Sequence, residues 1–352
     1  MGDILHALPA ITALRAAHLD WHIGWVVDPR WRALLAAPEI ADRRLEIGKQ
    51  EAGSRSPRGG AQPLVDALHF APAKVWGRRP LTVQTAREIA ALRRELRAAR
   101  YDAVIDLQCA IRSALVARMA GAKRVIGEMH PRERAARQLF SERIPTHGAH
   151  VIEQDIELAS AIAGDALPFT APQLPVSPAA EVWAEALLRP AAGRPVALLA
   201  PGAGWGAKRW PPERYAAVAQ GLAARGMHVL VNSGPGEESL ARAIEEGSRG
   251  EARPVTASLD DLIALTRRIE LCIGGDTGPL HLACALARPV VGIYGPTDPS
   301  RNGPLGTRFT VLRSPLSRRD HSRRAEPEAG LLTIAPGDVL RSAEVLLAGE
   351  NT

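Results

Sequence analysis

The segment LCIGGDTGPLHLACALARPVVGIYGPTDP (271–299) alternates two kinds of secondary structure. A short apolar run at its start predicts a buried strand, 281–287 predicts a helix, and 289–294 predicts a second strand. Two strands joined through a helix form a parallel pair, because the crossover returns the chain to the same end of the sheet. The segment therefore indicates an α/β domain.

The same alternation continues along the whole chain. PVALLAPGAG (195–204) predicts a strand and a glycine loop, 212–226 a helix, and HVLVNSGPGEE (228–238) again a strand and a loop. The first half predicts helices over 4–18, 85–100 and 111–120, strands over 21–28, 101–108 and 123–128, and a loop over 48–63.

The chain divides into two domains by this reading. Four prolines between 165 and 185 predict an interdomain linker. We expect an N-terminal domain over 1–168, a linker over 169–188, a C-terminal domain over 189–335 and a final helix over 336–352. A length of 352 residues agrees with two cores.

Composition narrows the class of protein. A hydrophobic fraction of 46% with 23% charged residues is typical of soluble globular proteins. No apolar run is long enough to span a bilayer and no signal peptide is evident, so we expect a cytoplasmic protein. The net charge of +6 favours an anionic partner: nucleic acid, a membrane surface or a phosphorylated substrate. Dispersed basic residues and only 4% aromatic residues disfavour nucleic acid. Three cysteines in apolar surroundings, Cys109, Cys272 and Cys284, predict small core residues.

The loop PGAGWGAKRW (201–210) predicts a phosphate site. Glycines after a strand, followed by Lys208 and a helix start, can offer backbone N–H groups and an ammonium to a diphosphate. The alternative is a glycine-rich turn with a lysine facing solvent. The loop matches neither the Walker A pattern nor GxGxxG.

The loop GGDTGPLHLA (274–283) predicts a second phosphate site. Asp276 and Thr277 can cap the helix that carries His281, and Gly278 begins its first turn. The helix start directs N–H groups outward. The alternative for His281 is a packed helix residue.

Acidic and basic residues in other loops complete the candidates. A carboxylate of GPGEE (234–238) can accept hydrogen bonds from ribose hydroxyls, or else Glu237 and Glu238 are ordinary first-turn acids. Arg78, Arg79 and Arg132 suit carboxylates or phosphates, or else are solvated charges. Neither a D-x-D nor an HExxH motif is present, so no metal site is predicted.

Four segments together resemble family 9 glycosyltransferases, the lipopolysaccharide heptosyltransferases, and most closely those that add the first heptose. They are GDILHALPAITALR (2–15), YDAVIDLQ (101–108), PGAGWGAKRWPPERYAAVA (201–219) and 274–299. The resemblance implies a GT-B fold, α/β with two Rossmann-like doubly wound domains facing each other across a cleft. It implies an inverting, metal-independent transfer of heptose from ADP-heptose to a Kdo sugar on lipid A, with no cofactor.

The resemblance also assigns roles to residues. Asp3 corresponds to the general base, Lys208 to the phosphate-contacting lysine, and Glu238 to the ribose-contacting acid. The remaining donor-site residues are Gly202, Ala203, Gly204, Asp276, Thr277, Gly278 and His281, the first three through their backbone. Arg78, Arg79 and Arg132 correspond to acceptor-binding arginines. We expect a monomer at the cytoplasmic face of the inner membrane.

The family begins with a strand before the residue equivalent to Asp3, whereas here only Met1 and Gly2 precede it. We therefore expect the first sheet to lack a strand, with unpaired strand edges and an exposed apolar groove. Three alternatives stay open: a second-heptose transferase, another GT-B transferase, and a non-catalytic protein that binds sugar nucleotides.

Overall fold

The computed structural model describes residues 1–36, 63–320 and 324–349, which form two compact units. The N-terminal unit is His6–Pro175, and the C-terminal unit combines Met1–Leu5 with Val176–Thr352. Apart from its last position, the loop predicted over 48–63 lies outside the described residues.

Helix α1 (Gly2–Ala17) begins two residues earlier than predicted, so Asp3 lies inside its first turn. The helix is buried almost all round: residues 5–11 and 13–15 are buried, among them Leu5, Leu8 and Leu14. Arg15, in its last turn, forms an ion pair with Asp66. This pair ties the helix to the chain entering the first sheet.

The N-terminal unit contains two separate parallel sheets among the described strands. β1 (Gly24–Val27) pairs with β2 (Ala67–Phe70). β3 (Ala103–Ile105), β4 (Arg124–Glu128) and β5 (Glu142–Ile144) form the other, in that order. The helices of this unit are α2 (Ala73–Arg78), α3 (Val83–Ala98), α4 (Ile111–Met119) and α5 (Val151–Ala163).

One core joins the two sheets of the N-terminal unit. Leu92 and Leu96 of α3 pack with Val26 of β1 and Val104 of β3. No described strand of one sheet hydrogen-bonds to a strand of the other. The absence of a first strand, expected from the family resemblance, stays a prediction.

The C-terminal unit is a doubly wound domain with one six-stranded parallel sheet. Its elements are α6 (Pro178–Leu188), β6 (Val196–Ala200), α7 (Pro212–Ala223), β7 (His228–Asn232), α8 (Glu238–Gly247), β8 (Ala252–Val255), α9 (Leu259–Thr266), β9 (Leu271–Gly275), α10 (Gly278–Ala285), β10 (Val290–Tyr294), α11 (Pro299–Asn302), β11 (Phe309–Arg313) and α12 (Pro336–Ala348). The strand order is β11-β10-β9-β6-β7-β8. Every residue of β6, β9 and β10 is buried, as expected for a sheet covered on both faces.

Helix α6 lies within the segment predicted as a linker, 169–188. Ser177 caps it and Pro178 occupies its first turn, where proline loses no helical hydrogen bond. Ala180 and Ala184 are buried against Ala264 of α9. The structure therefore differs from the predicted linker from Val176 onward: the prolines of this segment indicated a loop, but the last of them begins a packed helix.

The strand order places the chemistry-bearing loops side by side. The chain winds outward in opposite directions from β6 and β9, which are hydrogen-bonded neighbours. In open parallel sheets ligands bind beyond the carboxyl ends of the strands at this switch point. The loops that follow β6 and β9 are 201–210 and 276–277, both singled out by the sequence.

Candidate active site

Two side chains from these loops, Lys208 and Asp276, form a compact polar cluster with His281 of α10. Lys208 Nζ donates to Asp276 Oδ2 as an ion pair, although the two residues are 68 positions apart. His281 Nε2 donates to the other carboxylate oxygen, Asp276 Oδ1, at 2.9 Å. The side chains of Lys208, Asp276 and His281 are only 11%, 10% and 5% exposed. His281 is therefore both a packed helix residue and a partner of the site.

The charge of Asp276 is set by this cluster. Burial alone would raise the pKa of its carboxyl group, since a low-dielectric environment disfavours the charged form. The hydrogen bond from His281 and the charges of His281 and Lys208 outweigh burial, and the pKa of Asp276 lies below its ordinary value. Asp276 is thus an anion that holds the ammonium of Lys208 in place and is a poor proton acceptor.

The start of α10 presents its N-terminus without a side-chain cap. Thr277 is the N-cap residue but makes no capping hydrogen bond, contrary to the prediction that Asp276 and Thr277 cap this helix. The Asp276 carboxylate binds Lys208 and His281 instead. First-turn N–H groups have no partner inside a helix and carry a partial positive charge. This helix start can therefore accept an anionic ligand.

Buried hydroxyl groups lie along the same edge of the sheet. Thr277, Ser233 and Thr297 follow β9, β7 and β10, and their Oγ atoms are buried without a hydrogen-bond partner among the described residues. Leaving a buried hydroxyl unsatisfied is costly, so a ligand with several oxygen atoms would satisfy them. Ser233 and Thr297 were not predicted as site residues, although each lies just beyond the end of a strand.

The glycine loop after β6 packs closely against its neighbours. A Cβ on Gly206 would overlap the Ala325 carbonyl, so glycine is required there. Gly204 is open, with nothing near the position of a Cβ. Ala203 lies between Gly202 and Gly204 and is half-buried. The Lys208 ammonium lies 4.2 Å from the ring centroid of Trp205, a cation–π contact that was not predicted.

Glu237, rather than Glu238, faces this loop. Glu237 is half-buried, its Oε2 accepts from Gly234 N at 3.0 Å, and a Cβ on Gly202 would overlap its carboxylate. Glu238 is exposed, and hydrogen bonds from its own backbone N–H and from Gly236 N, the latter at 3.1 Å, lower its pKa. The sequence predicted that an acid of GPGEE belongs to the site. The structure shows that Glu237, rather than Glu238, lies against the glycine loop.

The first residues of the chain belong to the same unit as this cluster. A Cβ on Gly278 would lie 2.6 Å from Met1 Sδ, and one on Gly2 would lie 3.7 Å from His281 Cδ2. Asp3 follows directly and is exposed. The first turn of α1 therefore lies beside the first turn of α10.

A protein-family model described as glycosyltransferase family 9 (heptosyltransferase) matches residues 89–331, which contain this whole cluster. The chain belongs to glycosyltransferase family 9. It is 29% identical to lipopolysaccharide heptosyltransferase 1 of Escherichia coli K12 over 328 residues, covering 90% of this chain and 91% of that protein. It is 27% identical to an Escherichia coli lipopolysaccharide heptosyltransferase 3 over 272 residues, covering 73% and 78%.

The likeness extends to solved structures. The E. coli heptosyltransferase WaaC with ADP superimposes with a TM-score of 0.74 at 24% sequence identity, covering 98% of this chain and 97% of that one. This confirms the GT-B, α/β fold expected from the sequence. This family 9 chain is accordingly a glycosyltransferase.

The arginines predicted to bind the acceptor all lie in the N-terminal unit. Arg78 is the last residue of α2, Arg79 follows it, and Arg132 lies just after β4; all three are exposed. Their role in this glycosyltransferase stays a prediction. None of the helices described for this family 9 enzyme is long and apolar enough to cross a membrane.

Metal binding was not predicted from the sequence. Within 1–36, 63–320 and 324–349, no three His, Cys, Asp or Glu side chains are grouped so as to hold a metal ion. Metal independence of this family 9 enzyme stays a prediction.

Proposed function

We propose that this family 9 enzyme transfers heptose from ADP-heptose to a Kdo residue of a lipid A-linked acceptor, with inversion and without a metal ion. The observation that carries the proposal is the cluster of Lys208, Asp276 and His281 beside the uncapped start of α10. It combines a buried ammonium with a helix N-terminus at the switch point of the sheet. The solved WaaC that shares this fold holds ADP.

The proposed chemistry is a single displacement. The acceptor hydroxyl oxygen forms a bond to the anomeric carbon while the bond from that carbon to the β-phosphate oxygen breaks. The hydroxyl proton passes to the Asp3 carboxylate, and ADP departs with the bonding electron pair. Lys208 and the N–H groups of α10 stabilise the charge that develops on the diphosphate, the task for which other transferases use a metal ion.

Asp276 has a positioning role in this scheme. Its lowered pKa makes it unsuitable as the base, whereas its two oxygens fix Lys208 and His281. Asp3 is exposed and follows Gly2, which lies beside the His281 ring, so its carboxylate is the one that substrates can reach and desolvate.

We further infer that Glu237 accepts hydrogen bonds from the ribose of the donor. Its carboxylate lies against Gly202, in the loop that leads to Lys208, and it retains acceptor capacity beyond the bond from Gly234. Glu238 is exposed and accepts from Gly236 N in its own turn. We therefore assign to Glu237 the ribose-binding role that the family resemblance assigned to Glu238.

The proposed acceptor follows from the more extensive of the two reported relatives, heptosyltransferase 1, which the chain matches over 90% of its length. A lipid-linked acceptor also accounts for the net charge of +6, through contact with the anionic cytoplasmic face of the inner membrane. We propose that the enzyme acts there as a monomer.

Mass spectrometry of reaction products tests the proposal. Purified protein is incubated with ADP-heptose and Kdo-lipid A, with heptosyl-Kdo-lipid A as the alternative acceptor and UDP-glucose as the alternative donor. Addition of one heptose to Kdo-lipid A is the expected result. Transfer only to the heptosylated acceptor would make it a second-heptose transferase, and transfer from UDP-glucose another GT-B enzyme. ADP binding without any transfer would indicate a non-catalytic protein.

A further inference from the structure

The N-terminal unit contains a group of arginines, none of which belongs to the cluster of Lys208, Asp276 and His281. A cavity of about 740 Å³ lies among the segment that follows β4, the 3-10 helix Arg134–Leu139 and β5. It is lined by Met129, His130, Pro131, Arg134, Arg137, Gln138 and Arg143. It begins at the carboxyl end of β4, the edge of a parallel sheet where ligands bind.

The lining of this cavity is positively charged and contains no carboxylate. Neither Arg134 nor Arg137 forms an ion pair or a side-chain hydrogen bond with any residue that the structure describes. Arg143 donates from Nε to the Arg137 carbonyl at 3.0 Å, which leaves its terminal nitrogens for other partners. Three guanidinium groups therefore share one cavity without a counter-ion among the described residues.

The nearby acids are engaged elsewhere. Glu133 accepts from Ile111 N at 2.9 Å, and Glu128 accepts from Thr146 Oγ1 at 2.9 Å. Glu142 is paired with Arg124. None of these three carboxylates forms an ion pair with Arg134, Arg137 or Arg143 in the described part of the chain.

The frame that carries the arginines is fixed. Arg134 and Arg137 lie on the 3-10 helix Arg134–Leu139, which is anchored by the fully buried Ala136. The next residue, Phe140, is buried, and its ring occupies the space that a side chain at Gly127 would need. A rigid backbone lowers the entropic cost of presenting these side chains to a ligand.

We propose that this cavity binds an anionic group of the acceptor, a phosphate or a carboxylate. Guanidinium groups bind both with paired hydrogen bonds, and three of them suit a group of high charge. The inference rests on the proposed function, since a lipid A-linked Kdo acceptor carries both kinds of anion. It adds Arg134, Arg137 and Arg143 to the acceptor-binding arginines predicted from the sequence.

The test compares the double variant Arg134→Gln/Arg137→Gln with wild type. Arg143 is left intact because it bonds to the backbone. The matched control is Arg93→Gln/Arg94→Gln on α3, which removes the same charge from two exposed arginines of the same unit outside the cavity. Thermal melting checks that both variants fold. The acceptors are Kdo-lipid A and its enzymatically dephosphorylated form.

We expect the cavity variant to raise the KM for Kdo-lipid A at least about tenfold, because two charge-assisted contacts are lost. The KM for ADP-heptose and kcat should match wild type, and the control should match it throughout. If dephosphorylation abolishes the difference between variant and wild type, the anion is a phosphate; if the difference persists, it is the Kdo carboxylate. An unchanged KM, or an equal rise in the control, overturns the proposal.

Binding without turnover separates this proposal from the proposed function. Calorimetric titration of both lipids into each protein, without ADP-heptose, gives dissociation constants even for a protein that transfers no heptose. Weaker binding by the cavity variant alone supports the cavity. Equal binding by all three proteins refutes it, whatever the transfer assay shows.

Discussion

Replacing Lys208 by methionine removes an ammonium from the polar cluster while keeping the length and much of the apolar contact of the side chain. Lys208 contacts the Asp276 carboxylate on one side and the Trp205 ring on the other. Methionine can still pack on the ring. The change therefore isolates the charge of Lys208.

Two effects on ADP binding add together. The diphosphate loses a charge-assisted hydrogen bond, worth about 1.5–3 kcal/mol. The Asp276 carboxylate also loses its ammonium partner. At ~6 Å and an effective dielectric constant of about 20, its repulsion of one phosphate charge is at most about 3 kcal/mol. His281 still donates to Asp276 and offsets part of this repulsion. We expect a total of about 2–4 kcal/mol, a rise in Kd of roughly 30- to 1000-fold.

Calorimetric titration with ADP measures this change, and the double variant Lys208→Met/Asp276→Asn is the control. Asparagine keeps an oxygen for His281 but carries no charge. The double variant should therefore bind ADP more tightly than Lys208→Met alone. An unchanged Kd in Lys208→Met would refute the placement of the diphosphate at Lys208. A double variant that binds more weakly than the single one would refute the repulsion argument.

Three further predictions concern the acids of the C-terminal unit. Glu237→Gln should weaken ADP binding and Glu238→Gln should leave it unchanged; titration calorimetry giving the reverse order would restore the assignment from sequence. Asp3→Asn should lower kcat on the order of 10²–10⁴-fold with ADP affinity and melting temperature retained, whereas near-normal turnover would assign the base elsewhere. Asp276 has a lower pKa in the folded state than its ordinary 3.8, so its ionisation stabilises the fold above that pH. The excess unfolding free energy of wild type over Asp276→Asn, measured in urea, should therefore shrink as the pH falls below 3.8, and a constant difference would contradict the role of the cluster.

Much of the C-terminal unit could be predicted from the sequence. The spacing of apolar residues predicted its strands and helices, because buried parallel strands are short apolar runs and the apolar face of a helix recurs every 3.6 residues. The helix start before His281 was found because Gly278 and Pro279 are typical of a first turn. Lys208 and Asp276 could be singled out because each follows a predicted strand. The position of a strand or helix, and the residues that follow it, depend on neighbouring residues in the chain, so a local sequence pattern can predict them.

The sequence alone misjudged features that depend on what packs against them. The prolines before α6 indicated a linker, but Ala180 and Ala184 are covered by α9, a contact that no local pattern encodes. Thr277 was expected to cap α10 by its side chain; the neighbouring carboxylate instead serves two residues of the cluster.

Only the tertiary structure decided which of the candidate residues act together. Lys208 meets Asp276 because β6 and β9 are neighbours, and strand order is set by long-range pairing rather than by the residues of either loop. Glu237, the N-cap residue of α8, lies against Gly202 of the glycine loop, whereas Glu238 is already the first residue of the helix. The arginines of the N-terminal cavity converge because a 3-10 helix folds back beside β5. The sequence determined the elements and the chemistry available at their ends, and the packing of the elements determined which of those groups share a site.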